Sequence, residues 1–319
     1  MKAFNIYITL LFIFTFFSCE DILEKDLSNE SLITIYPKEG ERIESNVINF
    51  QWEKLKGVEN YHLQVFNNKD LLIKDTITKK SNLNISLPEG LYKWKMRGEN
   101  LAYYSQFTNL TSFKISLSND LSKQQIVLLS PTNEFYTNSK TFNLSWQTLN
   151  AISSYTLQII NITNANNIVL EQTGISNNTF AMNSSILEKD GKYEWKIKGL
   201  NSFSETPFSN RFFYVDTTIP NQPQNVLPTN NSKYNINTNI PFSWSIEPDS
   251  GIIKSTIENF NIDFSTDNSF NTILQTSTTT ANNFQRSFNT PGDYYWRVRA
   301  KDKAGNISIY SNTYKLTIN

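Results

Sequence analysis

The chain has one cysteine and one histidine in 319 residues. Cys19 alone permits no disulfide within the chain, and His62 alone makes no imidazole cluster. Zinc sites draw on groups of Cys and His side chains, and hydrolytic triads need an imidazole placed beside a nucleophile. Neither can be assembled here, so no catalytic residue and no cofactor is assigned, and the chain is not expected to be an enzyme. Net charge is also missing: 29 Lys and Arg balance 29 Asp and Glu. Neutralising a phosphate backbone needs a basic excess, so nucleic acid is not an expected partner. The apolar run Phe4–Phe17 is too short to cross a hydrocarbon core of ~30 Å as a helix. No later stretch keeps a helical period, so strands are expected throughout.

What is present is a repeat. Gly90-Leu-Tyr92-Lys-Trp94, Gly191-Lys-Tyr193-Glu-Trp195 and Gly292-Asp-Tyr294-Tyr-Trp296 stand 101 residues apart both times. A fixed period of that size means tandem domains rather than one large core. The six Trp divide evenly: Trp52 and Trp94, Trp146 and Trp195, Trp244 and Trp296. Around them apolar residues alternate with polar ones, as in Val47-Ile-Asn-Phe50-Gln-Trp52 and Tyr61-His-Leu63-Gln-Val65. Period two with one apolar face is the signature of a half-buried strand. Recurrence at matching strand positions assigns the indoles to core. The Lys, Arg and Glu between them would face water, and Tyr104, Phe208 and Tyr310 are read as recurring core residues. Trp and the next strand's aromatic are nine residues apart in the first two copies and 16 in the third, so repeat three carries an insertion within Ile246–Glu258.

A Trp on an early strand, an aromatic beyond it and a late Tyr-x-Trp-x-Val-x-Ala strand resemble fibronectin type III domains. Trp296-Arg-Val-Arg-Ala-Lys-Asp302-Lys-Ala-Gly305-Asn306 is similar to the end of many bacterial modules of that type. The resemblance implies an all-β chain of three tandem fibronectin type III/Ig-like β-sandwiches, over 32–117, 124–216 and 220–319. The 116–124 junction reads as polar and flexible. The 216–223 junction holds Pro220 and Pro223 and reads as stiffer.

The N-terminus reads as an address. Residues 1–18 look like a secretory signal peptide, with one Lys, a short apolar stretch and a small residue before Cys19. Phe16-Phe17-Ser18-Cys19 resembles the bacterial lipobox, which implies acylation of Cys19 and a membrane partner. The acids of the tether 19–31 resemble the export signal of Bacteroidetes surface lipoproteins. The expected location is the outer membrane, with the chain lipid-anchored, exposed at the cell surface and monomeric. Asp75-Thr76-Ile77 and Asp216-Thr217-Thr218 resemble the O-glycosylation acceptor of that phylum.

Candidate chemistry is sparse. His62 points outward by alternation, and its counterparts Thr156 and Asn261 share no chemistry with it. The acid pairs Asp263 with Asp267 and Glu188 with Asp190 match no motif. Asp302 and Asn306 bracket a Gly-containing turn, and Asp249 lies in the inserted loop. Ca²⁺ takes six to eight oxygens, more than these supply, so they read as Asx turns and no metal site is assigned. Tyr103 and Phe203 are loop aromatics with no third counterpart, and they are the candidate ligand-binding residues. Two functions remain: a surface spacer and interaction module that meets a surface protein, or a glycan-binding accessory lipoprotein of a polysaccharide-uptake system.

Overall fold

A computed structural model describes residues 24–319. They form 24 strands and no helix, in six sheets that make three tandem β-sandwiches of one topology. In the first, β1 (Thr34–Tyr36), β3 (Val47–Trp52) and β6 (Asn82–Ser86) form a sheet in the order β1-β3-β6. The facing sheet holds β2 (Glu41–Ile43), β4 (Asn60–Asn67), β5 (Leu72–Thr78), β7 (Gly90–Glu99) and β8 (Thr111–Ile115), in the order β2-β8-β7-β4-β5. The second and third sandwiches repeat this with the long strands β15 (Gly191–Leu200) and β23 (Gly292–Asp302) in the place of β7. In each, a short early strand runs parallel to the last one: Glu41–Ile43 with Phe113–Ile115, Phe135–Thr137 with Phe213–Val215, Ser232–Tyr234 with Leu316–Ile318. The proline that follows each first strand is cis in all three copies, at Pro37, Pro131 and Pro228.

The alternation read from sequence is the alternation of burial. Along β7 and β15 every second residue is buried, so Tyr92, Trp94 and Met96 line one core while Tyr193, Trp195 and Ile197 line the next. All six indoles are interior, none more than 2% exposed. Register repeats as well: Trp94 lies opposite Val65, Trp195 opposite Ile159 and Trp296 opposite Phe264. Each long strand opens with a tyrosine that ties down the chain just before it. The hydroxyls of Tyr92, Tyr193 and Tyr294 donate to the carbonyls of Pro88, Lys189 and Thr290 at 2.8, 2.7 and 2.9 Å. A buried phenol needs such a partner, and this one fixes the turn into the strand.

The described chain divides into two compact units. One holds the first sandwich, with the residues up to Ile43 and Val47–Ser116. The other comprises Glu44–Asn46 and Leu117–Asn319, and so contains the second and third sandwiches.

Residues 24–31 of the segment read as a tether, and the junction read as flexible, are instead parts of the fold. Asp26-Leu27-Ser28 and Asp120-Leu121-Ser122 are two copies of one turn. In both, the Asp carboxylate accepts the Ser backbone N–H, at 2.8 and 2.9 Å, and the Leu is fully buried. The first turn docks on sandwich one, where Gln106 N donates to Glu30 O at 3.0 Å. The second docks on sandwich two, where Leu121 N donates to Ser204 Oγ at 2.9 Å. Their polar composition conceals one apolar anchor each.

Candidate functional site

The corner where each long strand ends carries most of the chemistry. Strands β7, β15 and β23 run out through Glu99, Leu200 and Lys301, whose bridges to Tyr104, Glu205 and Ile307 close a tight loop. Inside each loop a Ser or Thr holds the strand: Ser105, Thr206 and Ser308 hydroxyls accept from Gly98, Gly199 and Ala300 N–H at 2.9, 3.1 and 2.9 Å. These bonds align the three corners residue by residue.

At the tip of the first two corners stands an asparagine. Asn100 Oδ1 accepts the N–H groups of Ala102 and Tyr103, while Nδ2 donates to Lys25 O and Gly57 O at 2.8 and 3.1 Å. Asn201 does the same with Phe203 and Ser204, and donates to Asn119 O and Ala151 O at 2.8 and 3.2 Å. One amide thus ties together the loop, the segment leading into the sandwich and the connection after the first Trp strand.

The third corner has Asp302 at this step, fully buried. Its carboxylate accepts the Asn306 N–H at 2.8 Å and Asn306 Nδ2 at 2.9 Å. The same Asn306 amide reaches Asp216 O at 2.8 Å, so the donor has moved from the strand end into the loop. Gly305 carries the turn at φ +96°, a conformation that L side chains adopt poorly. Asp216 is itself fully buried, with Oδ1 accepting Thr218 N at 3.1 Å. Burial pushes the Asp216 carboxyl above its ordinary value, and the nearby charge of Asp302 adds to the rise, against hydrogen bonding from Ser255 and Thr218. The inserted loop between Ser245 and Ile257 meets this corner where Lys303 N donates to Thr256 O at 3.1 Å. Asp249 Oδ1 accepts Gly251 N at 2.8 Å, and a Cβ on Gly251 would lie 2.8 Å from Thr218 Oγ1. Among the described residues, no group of three or more His, Cys, Asp or Glu side chains is arranged to hold a metal ion.

The two nominated aromatics sit in these loops but are not counterparts. Tyr103 aligns with Ser204, and Phe203 with Ala102. Tyr103 is 37% exposed and Phe203 85%. They belong to different compact units.

The outer face of the long strands differs from its expected wet state. Lys95 and Arg97 lie over the Phe107 ring at 4.4 and 4.9 Å, and Arg97 also over Tyr104 at 4.3 Å. Lys196 and Lys198 lie over Phe208 at 5.0 and 5.2 Å. Arg297 is held between Phe270 and Tyr310 at 4.0 and 3.9 Å. Tyr104, Phe208 and Tyr310 are therefore not core residues. They are lids on a cationic strand face, each contact contributing ~0.5–1 kcal/mol where exposed. The true series is Phe107, Phe208 and Tyr310, two residues beyond Ser105, Thr206 and Ser308. Phe107 lies on the 101-residue period of Phe208, but Tyr104 was taken in its place because, like Phe208 and Tyr310, it precedes a Ser.

The remaining candidates have structural partners. His62 does lie on the outer face, but it bridges Asp75 and Glu99, with Nδ1 3.1 Å from Glu99. Its hydrogen bond is the main cause that lowers the Asp75 carboxyl. Asp263 is buried, accepting Thr276 Oγ1 at 2.7 Å and facing Arg297 at 3.5 Å. Asp267 accepts the N–H groups of Ser269 and Asn271 in its own turn, and Asp190 accepts Thr217 N. Cys19, the expected lipidation site, lies outside the described residues.

No protein-family model matches the chain, and no curated protein matches it. Among solved structures it is similar to the FN1–FN3 domains of chicken CNTN1, at 14% identity and a TM-score of 0.46, over 91% of this chain and 99% of that one.

Proposed function

We propose that this chain is a non-enzymatic, lipid-anchored cell-surface protein whose tandem sandwiches act as a spacer and interaction module. The burial of all six indoles supports this reading. With the large rings spent on three interiors, loops and sheet edges are what remain for contact with a partner. The anchor rests on Phe16-Phe17-Ser18-Cys19 and the acids that follow. Globomycin treatment of expressing cells tests it: an unprocessed precursor should accumulate. Protease added to intact cells then tests the leaflet, since a surface-exposed chain is digested without lysis. Mature protein that forms normally under globomycin would remove the anchor from the proposal.

A glycan-binding accessory role is the second reading, favoured by Phe203, whose ring is 85% exposed at a loop tip among polar residues. Stacking on a sugar face is the interaction it offers. A glycan array with the mature protein decides between the two, and silence at high micromolar concentration removes the glycan role.

A further inference from the structure

Three copies of one domain expose what a single copy would hide. The connection into the long strand covers residues 87–89 in sandwich one and 287–291 in sandwich three, but 182–190 in sandwich two. This longest connection and the hairpin 162–166 flank an open cavity of about 310 Å³. Both walls are fixed by the chain itself. Asn161, 4% exposed, accepts the Asn164 N–H at 2.9 Å through Oδ1. Thr163 Oγ1 accepts the Lys192 N–H at 2.8 Å and ties the hairpin to the long strand. Asn183 Oδ1 accepts the N–H groups of Ser185 and Ile186 at 3.0 and 3.2 Å, and Met182 and Leu187 are buried on either side of that turn. Walls already held in place cost a ligand little ordering.

The lining mixes polar and apolar groups. Asn164, Asn167, Ser185 and Glu188 bring amides, a hydroxyl and a carboxylate, and Ile168 and Ile186 bring apolar wall. The side chains of Asn164, Asn167 and Glu188 bond to no other described residue, so donors and acceptors are both free for a ligand. Glu188 and Lys189 offset each other in charge. A second feature of the same sandwich adjoins the cavity. Ile168, 49% exposed, lies in a row of paired residues that crosses the sheet through Ile160 and Glu194 to Phe212. Beside Phe212, Tyr214 stacks on Tyr136 with ring centroids 4.3 Å apart. These three rings are half-buried on the outer sheet face. At the same register sandwich one has Ser112, Lys114 and Arg42, and sandwich three has Lys315, Thr317 and Lys233. Cavity and aromatic strip thus occur together, in sandwich two.

We propose that sandwich two binds a neutral glycan, with one pyranose unit in this cavity and the following units over Ile168 toward Phe212 and Tyr214. A pyranose has hydroxyls at its edge and C–H groups on its faces. Amides, hydroxyl and carboxylate suit the first, and the isoleucines and aromatic rings suit the second. The balance of Glu188 and Lys189 favours an uncharged sugar over an acidic one. The proposal rests on the glycan reading for its ligand class, but it moves the contact from Phe203, beyond the end of β15, to the place where β15 begins. The long connection thereby acquires a purpose: it is the wall that the other two copies lack.

Calorimetry on the mature protein tests the site with neutral oligosaccharides of glucose, mannose, galactose and xylose as probes. At least one of them should bind, with one site per chain. Asn164→Ala combined with Asn167→Ala should weaken it roughly tenfold or more. Both side chains are exposed, so the thermal transition of the second unit should stay where it was. Phe212→Ser and Tyr214→Lys import the residues of sandwich one and should each weaken binding by about fivefold. Phe203→Ala should change nothing. Binding that is lost with Phe203→Ala and survives the asparagine pair keeps the glycan reading and overturns this site. Binding that responds to Phe212→Ser and Tyr214→Lys but not to the asparagine pair overturns the cavity. No binding heat with any probe at high micromolar concentration overturns the site and the glycan reading together.

Discussion

Asn100 and Asp302 stand at the same step of the same strand and solve opposite problems. Asn100 brings both a donor and an acceptor, so its corner is closed by the protein alone. Asp302 brings only acceptors, so Asn306 supplies the amide that reaches both its carboxylate and Asp216 O. One change of side chain thus moves the donor from the strand end into the loop. Asn201 shows that the first solution is not peculiar to the chain's beginning, since it repeats Asn100 bond for bond. The comparison teaches that repeats with the same core can differ in how they are fastened to what precedes them.

The harshest way to break the comparison is through the core on which the first corner rests. Trp94→Ala should cost ~3–5 kcal/mol, a large part of the ~5–15 kcal/mol that holds a domain. Limited proteolysis should then cut residues 32–117 while leaving the second unit intact. Loss of a ligand with the first sandwich still protected would contradict the interior role of the indole. A smaller effect should follow Asn201→Asp, which puts the third corner's side chain into the second. Asn119 O and Ala151 O lose their donor, at a cost of ~1–3 kcal/mol visible as a lower denaturation midpoint. An unchanged midpoint would mean the amide is not what fastens the segment. Tyr193→Phe removes only the hydroxyl bond to Lys189 O and should cost ~1 kcal/mol with the core ring kept. Equal losses for Tyr92→Phe and Tyr294→Phe would show the three turns to be alike in energy as well as geometry.

The mildest effect belongs to the paired Asp-Leu-Ser turns. Backbone hydrogen bonding from Ser28 and Ser122 holds the Asp26 and Asp120 carboxyls below their ordinary value of 3.8. A lowered folded value means the turns gain from these groups above pH 3.8, and lose that gain as pH falls through the lowered values. NMR titration of the two carboxyls should find both midpoints under 3.8; a midpoint at or above it would dismiss the shared turn. Asp216 moves the other way, which is the same contrast in electrostatic form.

Much of the architecture was legible because two simple signals agreed. The 101-residue period set the number of domains, and strict alternation around Trp52, Trp146 and Trp244 set which face is inside. Burial patterns in the structure follow that alternation residue by residue. The corners were less legible. Asp302, Asn306 and Asp249 were visible as residues, but Asp216 lies 86 positions before Asp302 and only the fold brings them together. Leu27 and Leu121 were hidden because scattered apolar residues in a polar run carry no strand period. Phe107 was passed over for Tyr104, which shares with Phe208 and Tyr310 a following Ser. The cationic strand face read as solvated because alternation reports which side a residue takes, not what covers it.

The parallel pairing of Glu41–Ile43 with Phe113–Ile115, and its two later copies, has a mechanical meaning. A chain held at its beginning and tugged at its end pulls such neighbours in opposite directions along their length. All the rungs between them then share the load together, instead of opening singly like a zip. Each sandwich is consequently built to resist traction applied through its own termini.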